Sequence, residues 1–391
     1  MQNKFIATIL LALEAAKYYF LLLVFVPLRR KDVWLLAENG IMARDNGYAF
    51  YKYLKEKHPE ICVKYVISSN SKDAKKILAE DRIEPKSIEH YKYFIKSKIL
   101  ISSHLMGYSP DQRLYNRLNK YGILFNRTPK VFLQHGIIKD FIGKIGPDET
   151  KLSVFVCSAE RELEYIAKTS EYKGSERKIL KLTGMPRYDY LNTNRKKIIA
   201  LIPTWRKEHR YMSSIKGTDY YRSIMQLINN ANLQSALEKN GYVLYFYPHI
   251  ETQSFLSEFK TNNKNVKIVS ADDMDVHELI TTASVMVTDY SSIAFDFAYQ
   301  KTPLIYFQFD KEYFEHKHYR AGYFKYEDDG FGDVLVEPDR VVAKICNYIK
   351  NPIMEEKYSK RVDAFYAHRD RNNSDRVYAE IQKTIGEKNE E

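Results

Sequence analysis

The sequence predicts an α/β protein made of two Rossmann-like halves, each with a doubly wound parallel sheet. Short apolar runs of strand length alternate with helical patterns along most of the chain. A polar stretch, NTNRKK (192–197), separates two series of such runs, and 391 residues suffice for two domains. Strands that alternate with helices form parallel sheets. We therefore expect ligands outside the carboxyl ends of the strands, in a cleft between the halves.

Each half has its own set of expected strands. The first set is VWLLAEN (33–39), ICVKYVISS (61–69), KILISSH (98–104), KVFLQHG (130–136), VFVCSAE (154–160) and KILKLTG (178–184). The second set is KIIALIPTW (197–205), YVLYFYPH (242–249), NVKIVS (265–270), SVMVTDY (284–290) and PLIYFQFD (303–310). Helical patterns lie between them and continue from Pro352 to about Lys388. We expect one domain over residues 32–195 and a second over 196–391, which includes the terminal helices.

The N-terminus has the composition of a membrane-associated helix. Residues 5–28 read FIATILLALEAAKYYFLLLVFVPL, which is long enough to span a bilayer. Glu14 and Lys17 can pair on one helix face, but both are costly at mid-bilayer, so a helix lying in the interface remains an alternative. The cluster Arg29-Arg30-Lys31 follows without a cleavage site. We expect residues 1–31 to hold the protein at the cytoplasmic face of the membrane.

Charge and cysteine content limit the candidate partners and the cellular compartment. The net charge is +11, with an isoelectric point near 9.1, which favours an anionic partner: a phosphorylated substrate, an anionic inner leaflet or nucleic acid. Beyond the N-terminal cluster the basic residues are dispersed and no recognition motif is present, so nucleic acid is not expected. Three scattered cysteines, Cys62, Cys157 and Cys346, indicate a reducing compartment rather than a disulfide framework.

Two histidines follow expected strands, one in each half. His135 is followed by Gly136, which allows a sharp turn, and His249 ends Tyr247-Pro248-His249. Histidine exchanges protons near neutral pH, so both are candidate catalytic residues. The alternative is a histidine that is hydrogen-bonded at a strand terminus. We interpret the other eight histidines as lacking this placement.

Other polar residues at strand ends have the chemistry of phosphate ligands. Arg187 lies in TGMPRYD (183–189) and Arg206 in IPTWR (202–206); arginine binds phosphate bidentately, although surface arginines are common. Asp289-Tyr290-Ser291-Ser292 lies between a strand and a helix, where hydroxyls and helix-start amides bind phosphate, or where a serine simply caps the helix.

No metal or cofactor is expected. In Asp272-Asp273-Met274-Asp275, the acidic run precedes the helical VHELI, so Asp275 is expected to cap a helix rather than bind a metal–nucleotide complex. The chain has no Walker A and no Gly-x-Gly-x-x-Gly motif, so the sequence gives no support for ATP or NAD binding by those routes.

Taken together, these motifs resemble the CDP-glycerol glycerophosphotransferase family of teichoic acid synthesis. The resemblance runs over roughly 35–345 and rests on DNGYAFYKYL (45–54), FLQHGIIKD (132–140), TGMPRYD, IPTWR, Pro248-His249 and VTDYSSIAFDFAYQKTPLIYF (287–307). It implies a GT-B-like architecture and transfer of glycerol phosphate from CDP-glycerol to a hydroxyl, with release of CMP. The acceptor implied is a polyprenyl-diphosphate-linked (undecaprenyl-type) saccharide or polymer at the inner leaflet.

By this resemblance, His135 and His249 match the family's two functional histidines, and Asp289, Ser291 and Ser292 match its donor-phosphate region. Gly136, Arg187, Thr204 and Arg206 match further motif positions. We expect His135 to be the general base on the acceptor hydroxyl, and His249 with Arg206 and the serine turn to stabilise the diphosphate. The histidine roles could be exchanged at this point.

Several alternatives remain open from sequence. The short chain favours a priming enzyme over a polymerase. CDP-ribitol could replace CDP-glycerol, and capsule-assembly enzymes share the motifs. A GT-B glycosyltransferase that uses a nucleotide sugar, or a scaffold that binds lipid-linked intermediates, would have the same fold.

Overall fold

The computed structural model describes residues 2–25, 32–120, 128–141, 143, 145–191, 194–317 and 321–390. The chain forms two compact units. The first comprises Met1–His135, Ile142–Tyr190 and Ala367–Glu391, and the second comprises Gly136–Phe141 and Leu191–Tyr366.

The first unit contains a seven-stranded sheet with the order β3-β2-β1-β4-β5-β6-β7. All its strand pairs are parallel. The strands are β1 (Val33–Ala37), β2 (Cys62–Val66), β3 (Arg82–Ile83), β4 (Ile99–Ser102), β5 (Lys130–Phe132), β6 (Val154–Cys157) and β7 (Leu180–Leu182). Trp34 pairs with Val63 on one side and Ile99 on the other, so β1 is central. The strand order reverses between β1 and β4, where doubly wound sheets bind ligands.

Helices accompany this sheet in the first unit. They are α1 (Gln2–Phe25), α2 (Asn46–Lys57), α3 (Ile88–Lys96), α4 (Gln112–Lys120), α5 (Pro147–Thr150) and α6 (Glu160–Thr169). β1 is buried along its whole length, which explains why its sequence is a continuous apolar run rather than an alternating one.

Helix α1 packs on the rest of the first unit through one face that includes Tyr18 and Leu21. Tyr18 and Leu21 are buried in a cluster with Phe94 of α3 and Leu114 of α4. The expected pair of Glu14 and Lys17 forms, with 3.9 Å between the carboxylate and ammonium groups. Spanning was one of the two membrane arrangements that the sequence left open, and no described helix is both long and apolar enough to cross a bilayer. The basic cluster at 29–31 lies outside the described residues.

The second unit contains a six-stranded sheet with the order β10-β9-β8-β11-β12-β13, again wholly parallel. Its strands are β8 (Lys196–Leu201), β9 (Val243–Phe246), β10 (Val266–Ile268), β11 (Ala283–Thr288), β12 (Leu304–Phe307) and β13 (Gly332–Leu335). The reversal point lies between β8 and β11. A buried core that includes Val285, Val287 and Ile305 covers one face of this sheet.

The helices of the second unit are α7 (Asp219–Ile228), α8 (Ala231–Asn240), α9 (Val276–Thr282), α10 (Ala294–Tyr299), α11 (Lys311–Lys317), α12 (Tyr326–Asp329), α13 (Pro338–Lys350) and α14 (Glu356–Phe365). The last helix, α15 (Asn373–Glu390), belongs to the first unit, whereas the sequence placed the terminal helices with the second domain. It is tied there by Asp189, whose carboxylate accepts the backbone N–H groups of Asn373 (2.9 Å) and Ser374 (2.7 Å).

The predicted fold class is confirmed as α/β with two parallel sheets. The GT-B-like arrangement of the two domains stays a prediction. Two strands were not predicted, β3 and β13. β3 has only two residues, and β13 begins Gly-Asp, two residue types that are rare in strands.

Candidate active site

His135 lies at the carboxyl edge of the first sheet, just past the end of β5. The residue before it, Gln134, has a φ of 62°, in the left-handed region that non-glycine residues rarely adopt. Its side-chain amide donates to the backbone oxygen of Val156 (2.5 Å) and to Glu162 (3.1 Å), which holds this conformation. Backbone bends follow at His135 and Gly136, so the turn that presents the histidine begins at Gln134 and includes the predicted glycine.

Asp45 orients the His135 ring. Nδ1 of His135 is hydrogen-bonded to Oδ2 of Asp45, while the ring itself is 71% exposed. The other carboxylate oxygen, Oδ1, accepts from Nη1 of Arg187 at 2.6 Å and from the backbone N–H of Asn46 at 2.7 Å. Asp45 comes directly before α2 and caps that helix, so its position is fixed by backbone as well as by side chains.

Arg187 and Asn46 fix the loop that presents the histidine. Nη1 of Arg187 also donates to the backbone oxygen of His135 (2.6 Å). The Asn46 amide donates to the backbone oxygen of Gln134 (2.8 Å) and accepts from the backbone N–H of Arg187 (3.0 Å). Arg187 is thus buried beside the catalytic candidate, where its charge acts on Asp45.

The charges fix the protonation of this group. Burial alone would raise the pKa of Asp45, but the positive charges of His135 and Arg187 outweigh it and hold that pKa well below its usual range. In turn, the Asp45 charge has the largest effect on the pKa of His135 and raises it. An ionised Asp45 requires the proton of a neutral His135 ring to be on Nδ1, which leaves Nε2 as a proton acceptor.

A second layer of buried groups supports Asp45. The Glu38 carboxylate, at the end of β1, accepts the backbone N–H groups of Arg44 (3.1 Å), Asp45 (2.9 Å) and Tyr48 (2.9 Å). Burial, and then the charge of Asp45, raise the pKa of Glu38 to about 7. The ring of His104, just past β4, lies 4.8 Å from that of His135 between centroids.

Asp45, His104 and His135 also form the one metal-compatible group among the described residues, with donor atoms within 4.8 Å of one another. The electrostatic surroundings of this group are unfavourable for a metal. Arg187 already places a permanent positive charge on the same carboxylate, and that charge would repel a divalent cation.

In the second unit, Arg206 is almost fully buried and each guanidinium nitrogen is engaged. Nε and Nη2 donate to Asp310 (2.6 and 2.9 Å), and Nη2 also donates to Asp289 (2.9 Å). Nη1 donates to the backbone oxygen of Thr204 (2.7 Å). The other Asp289 oxygen accepts the backbone N–H groups of Thr204 (2.7 Å) and Tyr290 (2.6 Å).

This ion cluster connects the loops that follow β8 and β11, at the reversal point of the second sheet, and Asp310 joins them to the loop that follows β12. The prediction that Arg206 and Asp289 bind a donor phosphate directly does not match this geometry, because their hydrogen-bonding atoms are taken up within the protein. They instead hold Thr204 and the serine turn in place.

The serine turn leaves its hydroxyls near the surface. Ser291 is half-buried and Ser292 is exposed. Oγ of Ser291 accepts the backbone N–H of Ile293 at 3.4 Å, and α10 begins only at Ala294. The groups available to a ligand at this turn are therefore the serine hydroxyls rather than the helix-start amides that the sequence predicted.

His249 has the opposite hydrogen-bonding pattern to His135. Its Nδ1 accepts the backbone N–H of Glu251 (3.3 Å) and caps the short 3-10 helix Ile250–Glu258. The ring is nearly parallel to that of Trp205, with centroids 6.1 Å apart. A neutral ring with Nδ1 as acceptor carries its proton on Nε2, so His249 is a hydrogen-bond donor.

The predicted cap at Asp275 is confirmed: its carboxylate accepts the N–H of His277 (3.0 Å) at the start of α9. Sequence reasoning missed Asp45, Glu38 and His104. His104 ends the run KILISSH, which is the same placement as His135, so that signal was available. Asp45 lay within a quoted motif but without a role, because its partner is 90 residues away.

Fold and site together describe two Rossmann-like units, one of which holds an Asp–His pair suited to general-base chemistry. The sequence profile of the CDP-Glycerol:Poly(glycerophosphate) glycerophosphotransferase family matches residues 18–383, and the chain belongs to this family. The predicted resemblance is thereby confirmed.

Relatives agree with this assignment. The minor teichoic acid biosynthesis protein GgaB of Bacillus subtilis (strain 168) is 33% identical over 374 residues, which are 92% of this chain and 40% of that protein. The teichoic acid poly(glycerol phosphate) polymerase of the same strain is 22% identical over 383 residues, covering 88% of this chain and 47% of the relative. The chain thus spans less than half the length of these two relatives.

Solved structures support the fold. The wall teichoic acid polymerase TagF is similar with a TM-score of 0.70 at 17% identity, over 99% of both chains. A second TagF structure, obtained after a soak with CDPG, matches equally well, with a TM-score of 0.70 at 17% identity over 99% of both chains.

Proposed function

We propose that the protein transfers glycerol phosphate from CDP-glycerol to a hydroxyl of a polyprenyl-diphosphate-linked acceptor, with release of CMP, in teichoic acid synthesis. The observation that carries the proposal is the Asp45–His135 pair, which leaves Nε2 of an exposed ring as a proton acceptor. Family membership and the TagF structure soaked with CDPG support the choice of donor.

In the proposed reaction, Nε2 of His135 takes the proton of the acceptor hydroxyl. The acceptor oxygen then forms a bond to the glycerol-bearing phosphorus of the donor. The bond from that phosphorus to the bridging oxygen breaks, and CMP leaves with the electron pair. The ionised Asp45 stabilises the imidazolium that results, and His135 later releases its proton to solvent.

The donor side belongs to the second unit. Nε2–H of His249 and the hydroxyls of Ser291 and Ser292 donate to the diphosphate, where negative charge grows as CMP departs. Arg206 and Asp289 act as positioning residues for the serine turn. The tautomers support different roles for the two histidines: His135 accepts a proton and His249 donates a hydrogen bond.

We further propose peripheral attachment to the inner leaflet through α1. Its outer face exposes Leu13, Phe20 and Leu23, with Leu23 78% exposed, while its inner face is packed on the first unit. A helix in the interface plane needs such a free apolar face. This arrangement would bring the site to a membrane-bound acceptor.

The test is CMP release with a soluble disaccharide-diphosphate-lipid analogue as acceptor, followed by product mass. CDP-glycerol, CDP-ribitol and a UDP-sugar would be compared. We expect CMP and an acceptor heavier by glycerol phosphate. One added unit would agree with the priming role that the sequence predicted, and a ladder would indicate the polymerase activity named for relatives. Turnover of the UDP-sugar alone would overturn the proposal in favour of a glycosyltransferase.

A further inference from the structure

A cavity of about 570 Å³ lies within the first unit, at the carboxyl ends of β1, β2 and β4. Its walls come from the loop after β1, from Pro85 and Lys86 before α3, and from the segment 109–113 that leads into α4. The position coincides with the reversal of strand order in this sheet, and the volume is in the usual range for small-molecule sites. The catalytic scheme above does not use this cavity.

The lining has an excess of positive charge. Lys86 and Arg113 are exposed, and within the described part of the chain neither forms an ion pair. The carboxylate in the lining, Asp111, is engaged, since it accepts the backbone N–H of Leu114 (2.9 Å) at the start of α4. Two cations without partners favour an anionic ligand. The side chains of Ser109 and Gln112 add groups that can hydrogen-bond hydroxyls.

The walls of the cavity are braced by His90. Its Nδ1 accepts the backbone N–H of Lys86 (3.1 Å), and its Nε2 donates to the backbone oxygen of Tyr108 (3.0 Å). Burial lowers the pKa of His90 to about 4, so the ring is neutral and links two loops at neutral pH. Lys86 has a φ of 63°, a strained conformation held by this bond, which is typical of a functional loop.

The cavity also borders the proposed base. Asn39 lines it, and the preceding residue, Glu38, holds the backbone N–H of Asp45. Gly107 forms part of the same wall, because a Cβ added there would lie 1.8 Å from the backbone oxygen of Glu38. One layer of protein, made by Glu38 and Gly107, therefore separates the cavity from the group that holds His135.

We infer that this cavity binds a phosphate-bearing polyol segment of the acceptor. This segment lies further along the acceptor chain from the hydroxyl that His135 deprotonates. The inference rests on the proposed function for the identity of the ligand. Lys86 and Arg113 pair with a phosphodiester, and Ser109 and Gln112 contact polyol hydroxyls. An acceptor that carries phosphate would thereby bind more tightly than a neutral one.

Binding without donor tests this directly. A synthetic tri(glycerol phosphate) would be titrated calorimetrically into wild type, the double variant Lys86→Gln/Arg113→Gln, and the control Lys75→Gln/Arg117→Gln. The control removes the same charge from exposed positions of the first unit that do not line the cavity. We expect roughly tenfold weaker binding or more in the cavity variant and a change below about twofold in the control. Uncharged triglycerol should bind weakly to all three.

A shape variant and steady-state kinetics complete the test. Gln112→Trp, at an exposed lining position, should obstruct the cavity and raise KM for a phosphorylated acceptor, with KM for CDP-glycerol unchanged. The double charge variant should likewise raise KM for the phosphorylated acceptor and leave KM for CDP-glycerol unchanged. Equal losses of oligomer binding in the cavity variant and the control variant would show that only the overall charge of the protein matters. That result would overturn the inference.

The experiments distinguish failure of the proposed transfer reaction from failure of the cavity inference. If wild type binds the oligomer through Lys86 and Arg113 but transfers nothing from CDP-glycerol, the function is wrong and the cavity remains a polyol-phosphate site. If transfer proceeds normally while the cavity variants keep wild-type oligomer binding and acceptor KM, the cavity inference is wrong. Absence of both transfer and binding in wild type would overturn both.

Discussion

At the scale of single residues, Asp45 divides its two oxygens between opposite tasks. One oxygen holds Nδ1 of His135, and the other is neutralised by Arg187 and by the N-terminus of α2. The buried negative charge is therefore compensated while it still polarises the imidazole. Such a third group, which orients the base, is a recurring feature of sites where a histidine removes a proton from a hydroxyl.

Asp45→Asn should lower kcat by about 10²–10⁴-fold, because the amide no longer favours the Nδ1–H tautomer or stabilises the imidazolium. The active base is the neutral ring, so the rate falls as pH falls through the pKa of His135. Asp45 raises that pKa in wild type. The acid limb of the pH–rate profile should thus lie at higher pH in wild type and move to lower pH in the variant.

The control for this profile is Asp148→Asn, at an exposed position of the same unit. In this variant the acid limb of the pH–rate profile should lie at the same pH as in wild type. A variant at Asp45 that lost activity with no movement of the limb would show that Asp45 matters for structure and not for the base.

The serine hydroxyls belong to the same scale. Ser291→Ala and Ser292→Ala should each reduce kcat/KM for CDP-glycerol by about 10–100-fold, because each removes a donor to a charged phosphate. Ser257→Ala, exposed elsewhere in the second unit, is the matched control. Wild-type kinetics in both serine variants would show that the serine turn does not bind the donor.

At the scale of elements, the Arg206 cluster connects three loops of the second sheet through buried charges. Arg206→Met should destabilise the protein by about 3–5 kcal/mol, because Asp289 and Asp310 would remain buried without a counter-charge. Denaturant unfolding measures this. Arg222→Gln, an exposed pair with Asp219, should change stability by about 0.5 kcal/mol or less. A stable Arg206→Met protein with a raised KM for donor would restore Arg206 as a direct phosphate ligand.

Helix α1 gives a second prediction at this scale. Phe20→Ser/Leu23→Ser should weaken binding to anionic vesicles and leave turnover of a soluble acceptor unchanged, because both side chains point away from the core. Vesicle co-sedimentation measures the effect. Ile353→Ser removes an exposed apolar side chain of the second unit and should have no effect. Equal sedimentation of all variants would contradict attachment through this helix.

At the scale of the whole molecule, periodicity and length predicted both parallel sheets, because buried parallel strands are continuous apolar runs. β13 was missed since Gly332 and Asp333 are poor strand formers. Its place beside β12 needs the glycine, because a Cβ there would lie 2.0 Å from the backbone oxygen of Leu304. His135 and His249 were found from sequence as strand-end residues. The tautomer of His135 depends on Asp45, which is 90 residues away, and that of His249 depends on the local turn that brings in the N–H of Glu251.

The distinction between the two histidines is the central claim, and one paired measurement tests it. CDP-glycerol affinity and single-turnover transfer would be measured for His135→Asn and His249→Asn. We predict that His135→Asn binds the donor within about twofold of wild type but transfers at least about 10³-fold more slowly, as expected when a general base is lost. His249→Asn should lose donor affinity as well as rate. Transfer at the wild-type rate by His135→Asn, or the reverse division between the two variants, would contradict the account.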